Sequence, residues 1–176
     1  MRVQRVLTAG VLACGLMGMN AAAAAADQVI FLVRHAERAA EAAGAPPAGG
    51  MMANDPPLSA AGNERARRLA ALLASADVKH IFTTEYLRTR QTAAPLADTT
   101  KIQAVVSAAK DPDRLMQQVA KTSGSVLIVG HSNTVPDLLK RLGVSATISI
   151  EEGEHDNLFI VVRPAAGAPT LIRLRY

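Results

Sequence analysis

The chain has 176 residues, a length typical of one domain, and its formal net charge of +4 includes Arg2 and Arg5 near the N-terminus. Without those two arginines the net charge is +2, and no cluster of basic residues interleaved with aromatic residues is present. This composition argues against a nucleic-acid-binding protein, whose binding surface is strongly basic.

The first 26 residues have the pattern of a secretory signal peptide. Two arginines precede the apolar run VLTAGVLACGLMGM, and the stretch AAAAAA that follows offers an A-x-A cleavage site. The apolar run is shorter than the roughly 20 residues that cross a bilayer, so we expect cleavage near Asp27 rather than a retained anchor. We therefore predict a signal peptide at 1–26, a mature domain at 27–176 and a periplasmic or secreted protein that does not stay inserted in the membrane.

Cys14 is the only cysteine, and it lies within the predicted signal peptide. The mature chain would then have no disulfide, no thiolate metal ligand and no cysteine nucleophile. No H-x-x-x-H or H-E-x-x-H spacing relates any of the four histidines. The sequence therefore predicts no metal site.

Strand-like apolar runs alternate with helical patterns from residue 27 to residue 143. The runs VIFLV and VLIV are continuously apolar, which is typical of strands buried on both faces of a sheet. The alternation predicts parallel βαβ units, and hence an α/β fold in which helices cover both faces of a mostly parallel sheet, a three-layer α/β/α sandwich. Strands are predicted at 27–33, 79–83, 101–106 and 125–130, and helices at 58–75, 85–97, 111–122 and 134–143.

The boundaries of two helices have recognisable signals. Ser59 is predicted to cap the helix that begins near 58, and Gly143 to end the helix that begins near 134. Beyond Gly143 the runs ATISI, DNLFIVVR and PTLIRLRY are predicted to extend the sheet. Residues 39–57, rich in Gly, Pro and Ala without a usable period, are predicted to form a loop, either a disordered connection or a segment that gates a substrate.

Two histidines and an arginine directly follow predicted strands. Arg34 and His35 follow the first strand, and His131 follows SVLIVG. Ligands of an open parallel sheet bind beyond the carboxyl ends of its strands, so we expect these side chains to meet at one edge. Arg88 begins the helix after KHIFT and belongs to the same side.

This combination of residue types fits phosphoryl transfer. Two guanidinium groups can hold a tetrahedral dianion through bidentate hydrogen bonds. Their charge should also lower the pKa of a neighbouring histidine and keep it neutral and nucleophilic. The residues therefore predict phosphoryl transfer to a histidine.

A serine hydrolase is the rival interpretation, because residues 130–134 read GHSNT and G-x-S-x-G marks a nucleophile elbow. Here Thr134 replaces the closing glycine. An acid and a histidine must also follow the serine, and the chain offers only Asp137 and His155 with little sequence left to place them. We therefore favour the histidine nucleophile.

Four segments in this order, VRHAE, PLSAAGNERA, TTEYLRTRQTA and VLIVGHSNT, resemble the histidine phosphatase superfamily, also called the phosphoglycerate mutase-like family. The resemblance extends over nearly the whole mature chain. It implies that His35 becomes phosphorylated, that Arg34, Arg88 and His131 surround the phosphate, and that Asn133 lines the same pocket. It also implies an α/β/α fold with neither a metal nor an organic cofactor.

The general acid is the main departure from the family pattern. Mutase-like members have a glutamate after the third strand, where this chain reads VVSAAKDPDRL, and the acid-phosphatase branch has an aspartate after the second histidine, where this chain has Ser132. Three carboxylates near the predicted pocket are left as candidate acids: Glu37, Asp55 and Asp111. Without a strong acid, leaving groups of low pKa would be expelled most easily.

The spacing of the motifs limits the substrate. About thirty residues separate TRQTA from VLIVG, room for one strand and one helix but no cap domain. We therefore expect an open pocket and an exported, capless phosphoric monoester hydrolase of the histidine acid phosphatase type, acting on a phosphorylated small molecule, lipid or protein group. A phosphate-binding module without activity and, less readily, a phosphomutase are the alternatives, and the oligomeric state is open.

Overall fold

The computed structural model describes residues 27–39 and 55–176, and in these residues the chain forms six strands and four helices. The predicted signal peptide and most of the predicted 39–57 loop lie outside the described residues. No helix in the described part is long and apolar enough to cross a membrane. The elements in chain order are β1 (Gln28–Arg34), α1 (Ala60–Leu73), β2 (Val78–Thr84), α2 (Leu87–Thr100), β3 (Ala104–Ser107), α3 (Pro112–Val119), β4 (Ser125–Gly130), α4 (Thr134–Arg141), β5 (Asn157–Arg163) and β6 (Thr170–Arg175).

The strands form one mixed sheet in the order β3-β2-β4-β1-β5-β6. Strands β3, β2, β4 and β1 run parallel to one another, whereas β5 pairs antiparallel with β1 and β6 antiparallel with β5. This arrangement confirms the predicted mostly parallel sheet. From β1 to β4, consecutive strands are joined through a helix, as parallel strands require.

Helices cover both faces of the sheet and create two hydrophobic clusters. On one face Leu69 and Leu73 of α1 and Leu96 of α2 pack against side chains such as Phe31 of β1. On the other face α3 and α4 pack against alternate residues of the same strands, among them Ile30. Because successive strand residues point to opposite faces, a continuously apolar strand supplies both clusters, and the three-layer prediction is confirmed.

The predicted cap of α1 is observed. The Ser59 side chain accepts a hydrogen bond from the Gly62 N–H at 3.0 Å. Helix α1 exposes Arg67 and Arg68, whereas Arg65 is turned inward, where it binds the Glu37 carboxylate at 2.6 Å. The N-terminal half of α1 therefore packs against the segment that follows His35.

The prediction of a strand over ATISI is wrong, because residues 146–150 form no strand in the structure. Both edges of β5 are already paired, one with β1 and the other with β6, so no ladder position beside it is open to this segment. Ile148 and Ile150 instead pack their side chains against the cluster beneath α3 and α4. Apolar residues alone do not distinguish a strand from a loop that packs on the core.

Candidate active site

The predicted site residues come from three neighbouring parallel strands. Strand β4 lies between β1 and β2, and Arg34 at the end of β1 is level with Gly130 at the end of β4. The histidines that follow these two strands are therefore adjacent. A cleft of about 390 Å³ opens at this edge, and it is lined by His35, Tyr86, Arg88, Ala109, Lys110, His131, Ser132, Asn133 and Thr134.

The position of His35 is fixed by its own backbone and by β4. Its N–H donates to the Gly130 carbonyl at 2.9 Å, continuing the ladder between β1 and β4 by one residue. Its ring Nδ1 lies 2.8 Å from the Ala36 carbonyl oxygen. Because a carbonyl only accepts, Nδ1 carries the proton, and Nε2 of the neutral ring has a free lone pair. The geometry thus presents an unprotonated nitrogen suited to nucleophilic attack.

The His35 imidazole is held neutral mainly by burial. Only 5% of the residue is exposed. Burial is the largest cause, and together with the nearby His131, Arg88 and Arg34 it lowers the pKa of His35 to about 3, against the opposing effect of the hydrogen bond to Ala36. Positive charge was the expected cause of a neutral histidine, but desolvation is the larger cause.

The His131 ring lies beside that of His35 in an edge-to-face arrangement, with the ring centroids 5.3 Å apart. Its Nε2 is 3.0 Å from the Thr84 hydroxyl, and its backbone N–H donates to the Thr134 hydroxyl at 2.8 Å. Burial, followed by the charge of Arg88, lowers the pKa of His131 to about 4. Both rings are therefore neutral at neutral pH.

Arg88 reaches the site from the first turn of α2. Its Nη2 lies 3.5 Å from Nδ1 of His131, and its guanidinium carbon lies 4.2 Å from the centre of the Tyr86 ring. The Asp55 carboxylate holds it from the other side at 3.2 Å and also accepts the Leu87 N–H at 2.6 Å. Arg88 is therefore fixed by an ion pair and a ring, with only 14% of its side chain exposed.

Arg34 is also buried, but its guanidinium is held by backbone carbonyl groups rather than by a carboxylate. Its Nη1 donates to the carbonyls of Glu151 and Glu152 at 2.7 and 2.6 Å, while its Nε has no hydrogen-bond partner among the described residues. The loop before β5 therefore positions this guanidinium. Its charge acts on both rings, since it lowers the pKa of His35 and of His131.

The three candidate acids have different surroundings. Glu37 forms two-pronged hydrogen bonds with Arg65, which lower its pKa, and Asp111 caps α3 by accepting the Arg114 N–H at 3.0 Å. Asp55 alone contacts another predicted site residue, Arg88. No carboxylate is among the described residues that line the cleft. The choice of the acid stays a prediction, as do the roles of the other site residues.

Sequence reasoning did not identify several residues of the site. Nδ1 of His155 donates to the His35 carbonyl at 2.9 Å, and its ring lies 5.6 Å from that of His35. Tyr86 packs edge-on against His131 with ring centroids 5.2 Å apart, and Lys110 lines the cleft. Their proximity arises from loops whose course no local pattern fixes, although Tyr86 belongs to the recognised TTEYLRTRQTA segment.

Two further features bear on the alternatives. Among residues 27–39 and 55–176, no three His, Cys, Asp or Glu side chains are grouped so that they could hold a metal ion. Asp137, the acid that the serine-hydrolase interpretation requires, binds Arg141 at 2.7 Å on α4. Neither observation supports a metal centre or a serine triad in this part of the chain.

Solved structures with the same fold are numerous. The protein histidine phosphatase SixA in complex with tungstate is 18% identical, with a TM-score of 0.63 over 84% of this chain and 96% of that one. A mycobacterial glucosyl-3-phosphoglycerate phosphatase is 13% identical, with a TM-score of 0.62 over 84% and 98%. Phosphoglycerate mutase from Bacillus anthracis is 14% identical, with a TM-score of 0.64 over 86% and 94%. At these identities the likeness establishes the fold, which is phosphoglycerate mutase-like.

The sequence comparison names the family. No curated protein is significantly similar to the chain in sequence. A sequence model of the histidine phosphatase superfamily, branch 1, matches residues 30–110, the part that contains Arg34, His35 and Arg88. The matching residues, the shared fold and the two adjacent histidines all indicate the same superfamily. Over residues 30–110 the chain is similar in sequence to the histidine phosphatase superfamily, branch 1, and its described part has the phosphoglycerate mutase-like fold.

Proposed function

We propose that this protein is a phosphatase that hydrolyses phosphate monoesters through a phosphohistidine on His35. The observation that carries the proposal is the buried His35 ring, whose Nδ1 is bound to the Ala36 carbonyl so that Nε2 is unprotonated. The His131 ring and the Arg88 guanidinium lie within the same cleft. A neutral nucleophile near the two guanidinium groups of Arg88 and Arg34 suits attack on an anionic phosphoryl group.

The reaction proceeds in two displacements. The Nε2 lone pair forms a bond to phosphorus while the P–O bond to the leaving group breaks, and the leaving group departs with the electron pair and takes a proton from solvent. Arg34 and Arg88 stabilise the equatorial oxygens, and His131 adds a hydrogen bond, with Asn133 at the edge of the pocket. Water then attacks phosphorus, the N–P bond breaks, and its electron pair returns to Nε2 as inorganic phosphate forms.

Labelling of the intermediate tests the proposal. Purified protein treated with ³²P-labelled phosphoester and quenched in base should retain acid-labile label, and His35→Ala should abolish both label and turnover. His80→Ala is the matched control, because His80 lies on β2 and is not among the residues lining the cleft. Full labelling of the His35→Ala protein would refute the nucleophile.

The absence of a carboxylate from the described cleft lining supports a preference among substrates. An ester whose leaving group has a low pKa needs no proton from the enzyme, whereas an alkoxide does. We therefore expect kcat/KM for aryl phosphates to fall steeply as the pKa of the phenol rises. A phosphorylated small molecule, lipid or protein group would be the natural substrate, and SixA, a structural neighbour, is a protein histidine phosphatase.

The same observation supports a second candidate function, a phosphate-binding module without activity. p-Nitrophenyl phosphate separates the two functions, because its leaving group needs little protonation. Turnover by wild type that is lost in His35→Ala supports the enzyme. Absence of turnover at any pH, with a melting temperature still raised by inorganic phosphate, supports the binding module.

We also propose that the protein is exported to the periplasm or secreted. The support is the signal-like pattern of residues 1–26, with two arginines before an apolar run and an alanine stretch. N-terminal sequencing of the protein from a cell fraction tests it. A mature N-terminus near Asp27 in the periplasm or medium is expected, and an intact Met1 in the cytoplasm would refute it.

A further inference from the structure

The two nitrogens of His131 face different partners. Nε2 lies 3.0 Å from the hydroxyl of Thr84, the last residue of β2, and Nδ1 lies 3.5 Å from Nη2 of Arg88. Thr84 and His131 are buried, with 6% and 8% of each residue exposed, and the Arg88 side chain is 14% exposed. Of the two nitrogens, the one near Arg88 is on the side where the cleft anion would bind.

The hydroxyl of Thr89 fixes the direction of the hydrogen bonds around Nε2. Its oxygen lies 2.8 Å from the Tyr86 carbonyl and 3.1 Å from the Thr84 carbonyl, and both of these oxygens can only accept. The Thr89 hydrogen must therefore point toward them, since three oxygens without a hydrogen between them would repel one another. The Thr89 oxygen is then free to accept.

The Thr84 hydroxyl, 2.9 Å from the Thr89 oxygen, supplies the hydrogen that Thr89 accepts. Having donated its only hydrogen, Thr84 must accept from Nε2 of His131, so Nε2 carries a proton. Arg88 gives the same result independently, because a guanidinium only donates and therefore faces a lone pair on Nδ1. A neutral His131 thus has no donor to offer an anion in the cleft.

We propose that Thr84 and Thr89 fix the proton of neutral His131 on Nε2, so that His131 hydrogen-bonds a tetrahedral anion only after Nδ1 takes up a second proton. This inference rests on the proposed function, because the anion is the phosphoryl group of the substrate. The proton comes from solvent or from a monoanionic phosphate ester. Thr84 and Thr89 are positioning residues, since they act through His131.

The charged groups around His131 and its burial determine the pH at which Nδ1 takes up the second proton. Arg88 and Arg34 lower its pKa, Glu85 and Asp55 raise it, and burial is the largest effect, so that the pKa without an anion is about 4. A bound dianion offsets the two guanidinium charges and favours the imidazolium. The rings of His35 and Tyr86 contact His131 from either side.

Sulfate is a suitable probe, because it is a dianion across the useful pH range and any proton taken up on its binding goes to the protein. We expect the sulfate Kd of the wild-type protein, measured by NMR titration, to weaken about tenfold per pH unit from about pH 5 up to the pKa that His131 has in the complex, the slope of one linked proton. The ¹⁵N shifts of the bound state should show an imidazolium at His131 and a neutral ring at His35. Both measurements are made without turnover.

Three variants test the role of the hydroxyls. Thr84→Val removes the acceptor at Nε2. When Arg88 donates to the bound sulfate rather than to Nδ1, neutral His131 can then place its proton on Nδ1, so the sulfate Kd should depend much less on pH than that of wild type. Thr84→Ser should keep the wild-type slope. Thr83→Val is the matched control, because Thr83 precedes Thr84 on β2, is 2% exposed, and its hydroxyl has no hydrogen-bond partner among the described residues.

The outcomes separate this inference from the proposed function. Sulfate binding by wild type without pH dependence, or with a neutral His131, would overturn the inference and leave the phosphatase intact. A Thr84→Val slope equal to wild type would overturn the role of the threonines. No sulfate binding by wild type would overturn both the inference and the proposed anion pocket. The wild-type measurements decide the protonation of His131 even if Thr84→Val fails to fold.

Discussion

At the scale of single residues, the site combines groups that burial keeps in the form the proposed chemistry needs. His35 and His131 are both buried and neutral, with pKa values lowered to about 3 and about 4. Arg88 and Arg34 stay close to them, each anchored by acceptors outside the cleft. Their charges therefore act on the rings without depending on a bound ligand.

The two neutral histidines should make stability depend on pH. In the unfolded chain both titrate near 6.5, whereas in the folded chain they resist protonation until about pH 3 and about pH 4. The unfolded state therefore binds more protons below pH 6.5, and stability is complete above that value and falls as pH decreases. Each histidine contributes a slope of roughly 1.4 kcal/mol per pH unit between its two pKa values.

Urea denaturation at several pH values measures this slope. The double variant His35→Asn/His131→Asn should lose less stability than wild type between about pH 6.5 and about pH 4.5, because two proton-linked groups have been removed. Parallel pH profiles for the two proteins would show that the histidines are not held neutral by the fold.

Arg88→Lys tests whether the planar guanidinium is required. Lysine keeps the charge but cannot donate two parallel hydrogen bonds to a phosphoryl group or stack on the Tyr86 ring. We expect kcat/KM for p-nitrophenyl phosphate to fall by about 100-fold. Arg90→Lys, an exposed position two residues along α2, should remain near wild type. Equal activities for the two variants would argue that Arg88 supplies only charge.

At the scale of elements, close packing between α1 and the segment after β1 sets the position of His35. The Glu37 carbonyl accepts the Ser59 N–H at 2.9 Å, and a Cβ on Gly62 would lie 2.1 Å from that carbonyl oxygen. Glycine is needed at position 62 because the Glu37 backbone fills the space that a Cβ would occupy. This backbone cannot move aside as a flexible side chain can. Helix α1 thus packs directly against the segment that carries His35.

Gly62→Ala should therefore destabilise the protein by roughly 1–3 kcal/mol, since the clash outweighs the better helix propensity of alanine. It should also lower kcat/KM, because Glu37 lies two residues from His35. Gly153→Ala is the control, because a Cβ there would meet nothing within 4 Å. Chemical denaturation and the p-nitrophenyl phosphate assay measure both effects, and a Gly62→Ala protein as stable as Gly153→Ala would contradict this packing.

At the scale of the whole molecule, one sheet carries two hydrophobic clusters and holds the site at the carboxyl ends of its central strands. Leu69 of α1 and Leu138 of α4 lie on opposite faces, and their exposures are 0% and 2%. The strands between them contribute to both clusters. The two faces should therefore unfold in one cooperative transition.

Leu69→Ala and Leu138→Ala should each lower the free energy of unfolding by about 2–5 kcal/mol, because each leaves a cavity in a packed layer. Leu72→Ala, at a position on α1 that is 50% exposed, should change it by less than about 0.5 kcal/mol. Far-UV circular dichroism can follow unfolding, since the chain contains no tryptophan. Two separate transitions in either core variant would mean that the faces unfold independently.

Much of the fold could be predicted from local pattern. Continuous apolar runs predicted β1 and β4 because a strand buried on both faces has no polar side, and the cap at Ser59 was readable from its hydroxyl. The run at 146–150 was mistaken for a strand because pairing depends on which edges are open, which is a property of the whole sheet. The same limit hid His155, which approaches His35 only through the loop before β5.

The sequence by itself determined the strand-helix alternation and which residues follow the strand ends, because periodicity and capping are local properties of the chain. It therefore predicted that Arg34, His35, Arg88 and His131 would face one edge. Only the tertiary structure decided that β4 lies between β1 and β2, which brings the rings of His35 and His131 within 5.3 Å and sets Thr84 against Nε2. Protonation and nucleophilicity depend on burial and on hydrogen-bond partners distant in sequence, so they are decided by folding alone.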